Sequence, residues 1–274
     1  MRKTLFSGIA ACLLATAATA AEQSPSVIWT VGQADRSASE FALAPDRFRD
    51  FLANDFGYED KYFLVGHSVP AADFPYVLPG PADTWGGTWP TSGWRTHQVN
   101  ILFGLKEIPS DGTCTLVVDL LDYAKNFLPL VKVSVNTQDA KFQLDAPGLS
   151  VADQRKPNQM EKIVDTLSIT GNLAKATPRR LEIPIRPGVL KAGGNEVTIT
   201  VLEGSWILFD RVSLEGPAGT NVEQPQQLFI RNIEAAPYEL ADGKRRVQPL
   251  LVDLEWLEGA PALSVELDGK EILN

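Results

Sequence analysis

Four large aromatic residues crowd one stretch of the chain, Tyr76, Trp85, Trp89 and Trp94, followed directly by Arg95 and His97. A flat ring can lie against the C–H face of a pyranose, a contact made of dispersion and desolvation. An adjacent guanidinium can bond sugar hydroxyls or a uronate carboxylate. These six residues are the candidate ligand contacts. The competing reading packs the rings down onto the protein, but exposed clusters of large aromatics usually mark an interface.

Other chemistry finds less support. The chain holds two histidines, His67 and His97, and Ser68 adjoins the first. No G-x-S-x-G elbow accompanies them, so a Ser-His-Asp triad has no local context. Among 34 acidic residues no spacing singles out a glycosidase pair. Gly193-Gly194-Asn195 precedes a strand-like run, not a helix, and reads as a hairpin turn and not as a phosphate loop. No catalytic residue is assigned.

The elements that must position the aromatic stretch are strands. Val131, Val133 and Val135 alternate with Lys132, Ser134 and Asn136, the pattern of a half-buried strand. Thr113 to Leu121 is long and mostly apolar, like a central strand covered on both faces. Further runs start at Val27, Tyr62 and Gln98, and Leu167 with Ile169 continue the pattern. In Leu181, Ile183 and Ile185 the intervening Pro184 suggests an edge strand. Val197, Ile199 and Val201, then Trp206 to Leu214, complete the set. One short helix is expected over Asp46 to Asn54, where Phe48, Phe51 and Leu52 stand at helical spacing. About ten strands and almost no helix predict an all-β sandwich or barrel. Val69 to Arg95, rich in Pro, Gly and aromatics, is a long loop of the kind that carries function or wraps the fold.

Residues 1–20 read as a signal peptide. Arg2 and Lys3 precede an apolar run from Leu5 to Ala15, and Ala18-Thr19-Ala20 forms an A-x-A cleavage site. Ile9-Ala10-Ala11-Cys12 loosely resembles a lipoprotein box, which would waste the better site at Ala20. The apolar run is too short to span a bilayer, and no other stretch is a candidate. Cleavage removes two basic residues and no acidic one, taking the formal charge from -9 to -11. That balance argues against nucleic acid or anionic lipid as partner. Cys114 would then be the one remaining cysteine, so no intrachain disulfide forms. A secreted or periplasmic location is expected. The sandwich is expected over residues 21–217, a linker over 218–226 (GTNVEQ with its flanks), and over 227–274 a C-terminal β segment. That segment would be strands added to the first domain or the start of a second β module.

In the last strand Trp206, Leu208, Asp210, Val212 and Leu214 share one face by alternation, so Asp210 would be buried and must find a partner.

Several spaced motifs carry a family resemblance. Trp29-Thr30-Val31-Gly32-Gln33-Ala34-Asp35, continuing to Glu40-Phe41, resembles the start of the C-terminal domain of polysaccharide lyase family 4 rhamnogalacturonan lyases. Tyr62 to Gly66, Asp73 to Tyr76, Gly194 to Ile199, Gly204-Ser205-Trp206 and Phe209-Asp210 resemble later blocks in the same order, so the similarity spans Ser26 to Pro217. The resemblance implies a jelly-roll (galactose-binding-like) sandwich akin to carbohydrate-binding modules. The lyases' chemistry lies in a separate domain, and the module type also fronts large secreted glycosidases, including α-mannosidase-like enzymes. It implies a polysaccharide or oligosaccharide partner, and possible contact with a catalytic domain or subunit. Such sandwiches often hold a structural calcium, and Asp35, Glu40 and Asp210 are the matching oxygen ligands. The simpler alternative is that these acids accept backbone N–H bonds. A structural packing module that never touches sugar is the remaining reading.

Overall fold

A computed structural model describes residues 26–87, 95–108, 113–145, 167–259, 264–267 and 270–273. The strands are β1 (Ser26–Gly32), β2 (Tyr62–Leu64), β3 (Val77–Leu78), β4 (Gln98–Leu105), β5 (Cys114–Tyr123) and β6 (Leu130–Val135). They continue with β7 (Gln138–Gln143), β8 (Arg179–Ile185), β9 (Gly193–Glu203), β10 (Ile207–Gly216), β11 (Val222–Glu223) and β12 (Leu228–Ala235). The tail adds β13 (Leu240–Asp242), β14 (Arg245–Val247), β15 (Leu250–Trp256), β16 (Val265–Leu267) and β17 (Lys270–Leu273).

Two sheets face each other. The first runs β1-β10-β5-β8, with β3 added to β10; the second runs β11-β4-β9-β6-β7, with β2 added parallel to β4. Chain neighbours are often not sheet neighbours, which is the crossed connectivity of a jelly roll. The alternating positions read from the sequence point inward. Val131, Val133, Val135, Val197 and Ile199 are fully buried and meet Leu116, Val118 and Ile183 of the opposite sheet. Trp29 of β1 and Phe103 of β4 bring their ring centroids to 5.2 Å across the gap. β5 is central, between β10 and β8; its inner face is apolar, and its outer face carries Asp119, paired with Arg180 at 3.3 Å and Arg211 at 2.9 Å. β8, with Pro184, is an edge strand as its proline required.

Three expectations are corrected. Asp46 to Asn54 forms two 3-10 turns, Phe48–Asp50 and Leu52–Asn54, and not an α-helix. Packing decides this: Phe48 and Phe51 must both reach the core from a segment too short to repeat an α-helical turn. Leu167 and Ile169 belong to a 3-10 turn at Ser168–Thr170, not a strand. The expected linker over 218–226 contains β11, whose Val222 and Glu223 pair with Leu105 and Gly104 of β4. Its polar sequence suits the exposed edge of a sheet, where one side of the backbone is still hydrogen-bonded.

The tail forms three two-stranded sheets: β12-β15, β13-β14 and β16-β17. The β12-β15 ribbon rests on the outer face of the second sheet. Phe229 packs on Leu64 and Leu102 in a small separate core. Arg231 spans from the ribbon to Glu196 of β9 at 3.2 Å. The fit needs Gly194, because a Cβ there would collide with the carbonyl oxygens of Ile230 and Arg231. Among the described residues no helix is long and apolar enough to cross a membrane.

Candidate functional site

The N-terminal motif is spent on one turn of backbone. β1 ends at Gly32 with φ 79°, a conformation that side chains resist. A Cβ there would strike the Phe41 ring and the Asp210 carbonyl. Three separated motifs, W-T-V-G, E-F and F-D, therefore meet at a single point. Asp210 is buried beside a register shift of β10 against β5, and its Oδ1 accepts the Arg36 N–H at 3.0 Å. The Gln33 N–H donates to Glu40 Oε1 at 2.9 Å, and the Ser37 N–H to Asp35 Oδ1 at 2.9 Å. Burial, with Asp35 and Asp119 nearby, pushes the Asp210 carboxyl up to about 6. Each of Asp35, Glu40 and Asp210 is turned onto a backbone N–H of the turn, and among the described residues no three His, Cys, Asp or Glu side chains could share a metal ion.

The aromatic stretch is largely a cap on the sandwich end. Tyr76 is fully buried, not a surface platform; its hydroxyl donates to the Ile169 carbonyl at 2.6 Å. Its neighbours on each side, Pro75 and Val77, are also buried, because Tyr76 sits where the loop re-enters the sheet as β3. Trp85 is half-buried, edge-on to Phe48 at 5.1 Å and to Phe51 at 6.0 Å. Beside it Asp83 bonds Ser205 Oγ at 2.5 Å and the Gly80 N–H at 2.8 Å, and burial raises its carboxyl above the ordinary range. The Arg95 side chain is buried: it donates to the Phe56 carbonyl at 3.1 Å and stacks 3.4 Å from the Tyr58 ring centroid. His97 is buried with φ 49°, and desolvation lowers its pKa. Its Nε2 has no hydrogen-bond partner among the described residues. Trp89 and Trp94 lie outside the described residues. Of the six candidates, then, the structure brings Trp85, Arg95 and His97 to one end of the sandwich. Among the described ones, Trp85 alone keeps a substantial part of a ring toward solvent.

A second feature escaped sequence reasoning. Between the outer face of the β4-β9-β6 sheet and the docked ribbon runs a polar cleft of about 470 Å³. Ser134 and Thr198 form its floor; Lys191, Glu196, Arg231 and Asp253 form its walls. It adjoins a larger cleft of about 730 Å³ along β12 and the Glu223–Gln227 segment. Arg231 is held among Glu255 at 2.8 Å, Glu196 at 3.2 Å and Asp253 at 3.8 Å. Lys191 Nζ donates to Asn232 Oδ1 at 3.3 Å. The Ser134 hydroxyl oxygen is buried with no hydrogen-bond partner among the described residues. Asn136 braces the rim, donating to the Val189 carbonyl at 2.7 Å and to Asn195 Oδ1 at 2.8 Å. These donors and acceptors converge from chain positions up to about a hundred residues apart, and the one local hint was the polar half of the Val131–Asn136 alternation.

Comparison with known proteins agrees with the sandwich. No curated protein matches the sequence. A solved structure, a family GH115 4-O-methyl-α-glucuronidase with specificity for decorated arabinogalactans, is similar over 43% of this chain at 18% identity, with a TM-score of 0.26. The matched part makes up only 13% of that enzyme's chain. The family model for the CBM-like domain III of polysaccharide lyase family 4 matches residues 27–214, from β1 through most of β10. It thus takes in the turn where Gly32, Phe41 and Asp210 meet, and the chain belongs to this CBM-like family of polysaccharide lyase family 4 domain III.

Proposed function

We propose that this chain is an exported, non-catalytic carbohydrate-binding module of a polysaccharide-degrading system. The observation that carries the reading is the polar cleft on the outer face of the second sheet, with the unpartnered Ser134 hydroxyl in its floor. A sugar offers many hydroxyls that both donate and accept. A cleft combining a hydroxyl, a lysine and carboxylates satisfies both roles. Trp85 at the sandwich end is a second contact for a longer glycan. The leader-like residues 1–20 and the net acidic charge support export and a neutral or locally paired glycan partner.

The test is binding of the full chain to a panel of plant, algal and microbial polysaccharides, read by tryptophan fluorescence and calorimetry. Ser134→Val with Lys191→Ala should weaken a true cleft ligand tenfold or more, the loss of one or two hydrogen bonds, about 1.4 kcal/mol or above. Trp85→Ala should weaken only longer oligosaccharides. A folded protein that binds no glycan in the panel would end this reading and leave a packing module.

A further inference from the structure

The β12-β15 ribbon is oriented against expectation. Strand pairing sets Ile230 opposite Leu254, Ile233 opposite Val252 and Ala235 opposite Leu250, and Leu228 opposite Trp256. A register shift at Arg231 keeps this parity through the whole ribbon, so all of these side chains share one face. That face carries no charged residue, yet it is exposed: Ile233 55%, Trp256 54%, Leu250 51%, Val252 42% and Ile230 39%. The opposite face, with Arg231, Asn232, Asp253 and Glu255, is the one that docks on the sandwich. The ribbon thus turns its charged face toward the sandwich and leaves its apolar face bare.

We infer that this face is the interface between two copies of the chain, packed ribbon on ribbon about a two-fold axis. Two lines favour a second copy. The first is area. The exposed fractions add up to on the order of 600 Å² on the face, near the roughly 800 Å² per partner of a stable complex. The second is charge. The β13-β14 hairpin, inserted between β12 and β15, carries Lys244, Arg245 and Arg246 at one end of the ribbon. Glu258 stands at the other end. Stacking two ribbons antiparallel sets the basic end of each over the acidic end of its mate, which is self-complementary under a two-fold.

The experiment is sedimentation equilibrium and light scattering of the full chain from about 1 to 100 µM, a range that resolves micromolar association. The expected mass is twice the 29.9 kDa of one chain. Ile233→Asp with Val252→Asp should give a monomer whose thermal unfolding matches that of the parent. Lys244→Glu with Arg245→Glu should weaken the dimer tenfold or more, and Glu258→Lys added to it should restore it. That charge-swap arm stands even if the aspartate variant fails to fold. A monomer across the whole range would overturn the inference, as would a dimer that survives both sets of substitutions. Glycan binding is measured separately, so loss of the dimer and loss of the sugar reading are distinguishable.

Discussion

Sandwich and ribbon use the same alternation and reach opposite ends. In β6, Val131, Val133 and Val135 alternate with Lys132, Ser134 and Asn136, and the valines are fully buried. In the ribbon, Ile230, Ile233, Val252 and Leu250 fall just as regularly on one face, and that face is bare. The difference is a second layer. Period-2 hydrophobicity specifies a face, and only an opposing sheet about 10 Å away removes that face from water. The sandwich has both sheets within its own chain; the ribbon has only itself. A lone two-stranded ribbon is marginal, so Phe229 and Arg231 must hold it on the sandwich from behind.

This contrast can be broken most directly in the core. Phe209→Ala removes a fully buried ring that meets Phe74 at 5.0 Å. It should lower unfolding stability by about 3–5 kcal/mol in chemical denaturation. A loss below about 1 kcal/mol would mean that the core is looser than its burial suggests.

Next comes the buried ion pair at the end of β5. Lys125 Nζ donates to Asp122 Oδ1 at 3.0 Å, and Ser168 Oγ to Asp122 Oδ2 at 2.5 Å. Asp122→Ala leaves that ammonium without its carboxylate partner, at a cost of about 3 kcal/mol. If the melting temperature hardly moves, water must reach Lys125.

Asp210 sharpens the comparison by sign. Its native carboxyl sits at about 6, above its ordinary value of 3.8. The native state therefore holds the proton more tightly than the unfolded chain. Stability from this group is fully present below about pH 4 and is lost as pH rises through 6. Asp210→Asn should flatten that slope in melts between pH 4 and 7 and stabilise the fold by about 1–2 kcal/mol at pH 7. Destabilisation at pH 7 would mean that the fold needs the charged carboxylate.

Effects should shrink toward the ribbon. Arg231→Ala cuts the tie to Glu196 and Glu255, and should raise amide exchange in β12 and β15 while shifting the main melt by about 1 kcal/mol or less. Smallest of all, Ile233→Ala should change monomer stability by less than about 0.5 kcal/mol. A larger loss, measured under dissociating conditions, would show that the ribbon face is already covered within one chain.

The jelly-roll sheets were legible because strand patterns are local: the valine alternation, the long, mostly apolar run of β5 and the edge proline of β8 each name their own place. The Asp46–Asn54 helix was misread because Phe48 and Phe51 match helical spacing, and two successive 3-10 turns bring both rings onto Trp85 as well as a helix would. The 218–226 segment looked like a linker because an edge strand can be polar on both faces. Tyr76 looked like a ligand platform because it shares a loop with tryptophans, and proximity in sequence says nothing of which ring turns inward. The cleft was invisible for a different reason: Ser134, Lys191, Glu196 and Arg231 come from separate strands and a tail, and no local spacing relates them.

Composition, alternation and the ordered motifs determined an all-β sandwich of the polysaccharide lyase family 4 domain III type and the edge position of β8. Each of these follows from forces that act along a few neighbouring residues. Tertiary structure alone decided that Tyr76 and Arg95 are buried, that three acids serve backbone N–H groups, that a polar cleft opens behind the ribbon, and that the ribbon turns its apolar face outward. Those outcomes depend on which distant surfaces meet, and a docking geometry set by Phe229, Gly194 and Arg231 has no signature in the order of the residues.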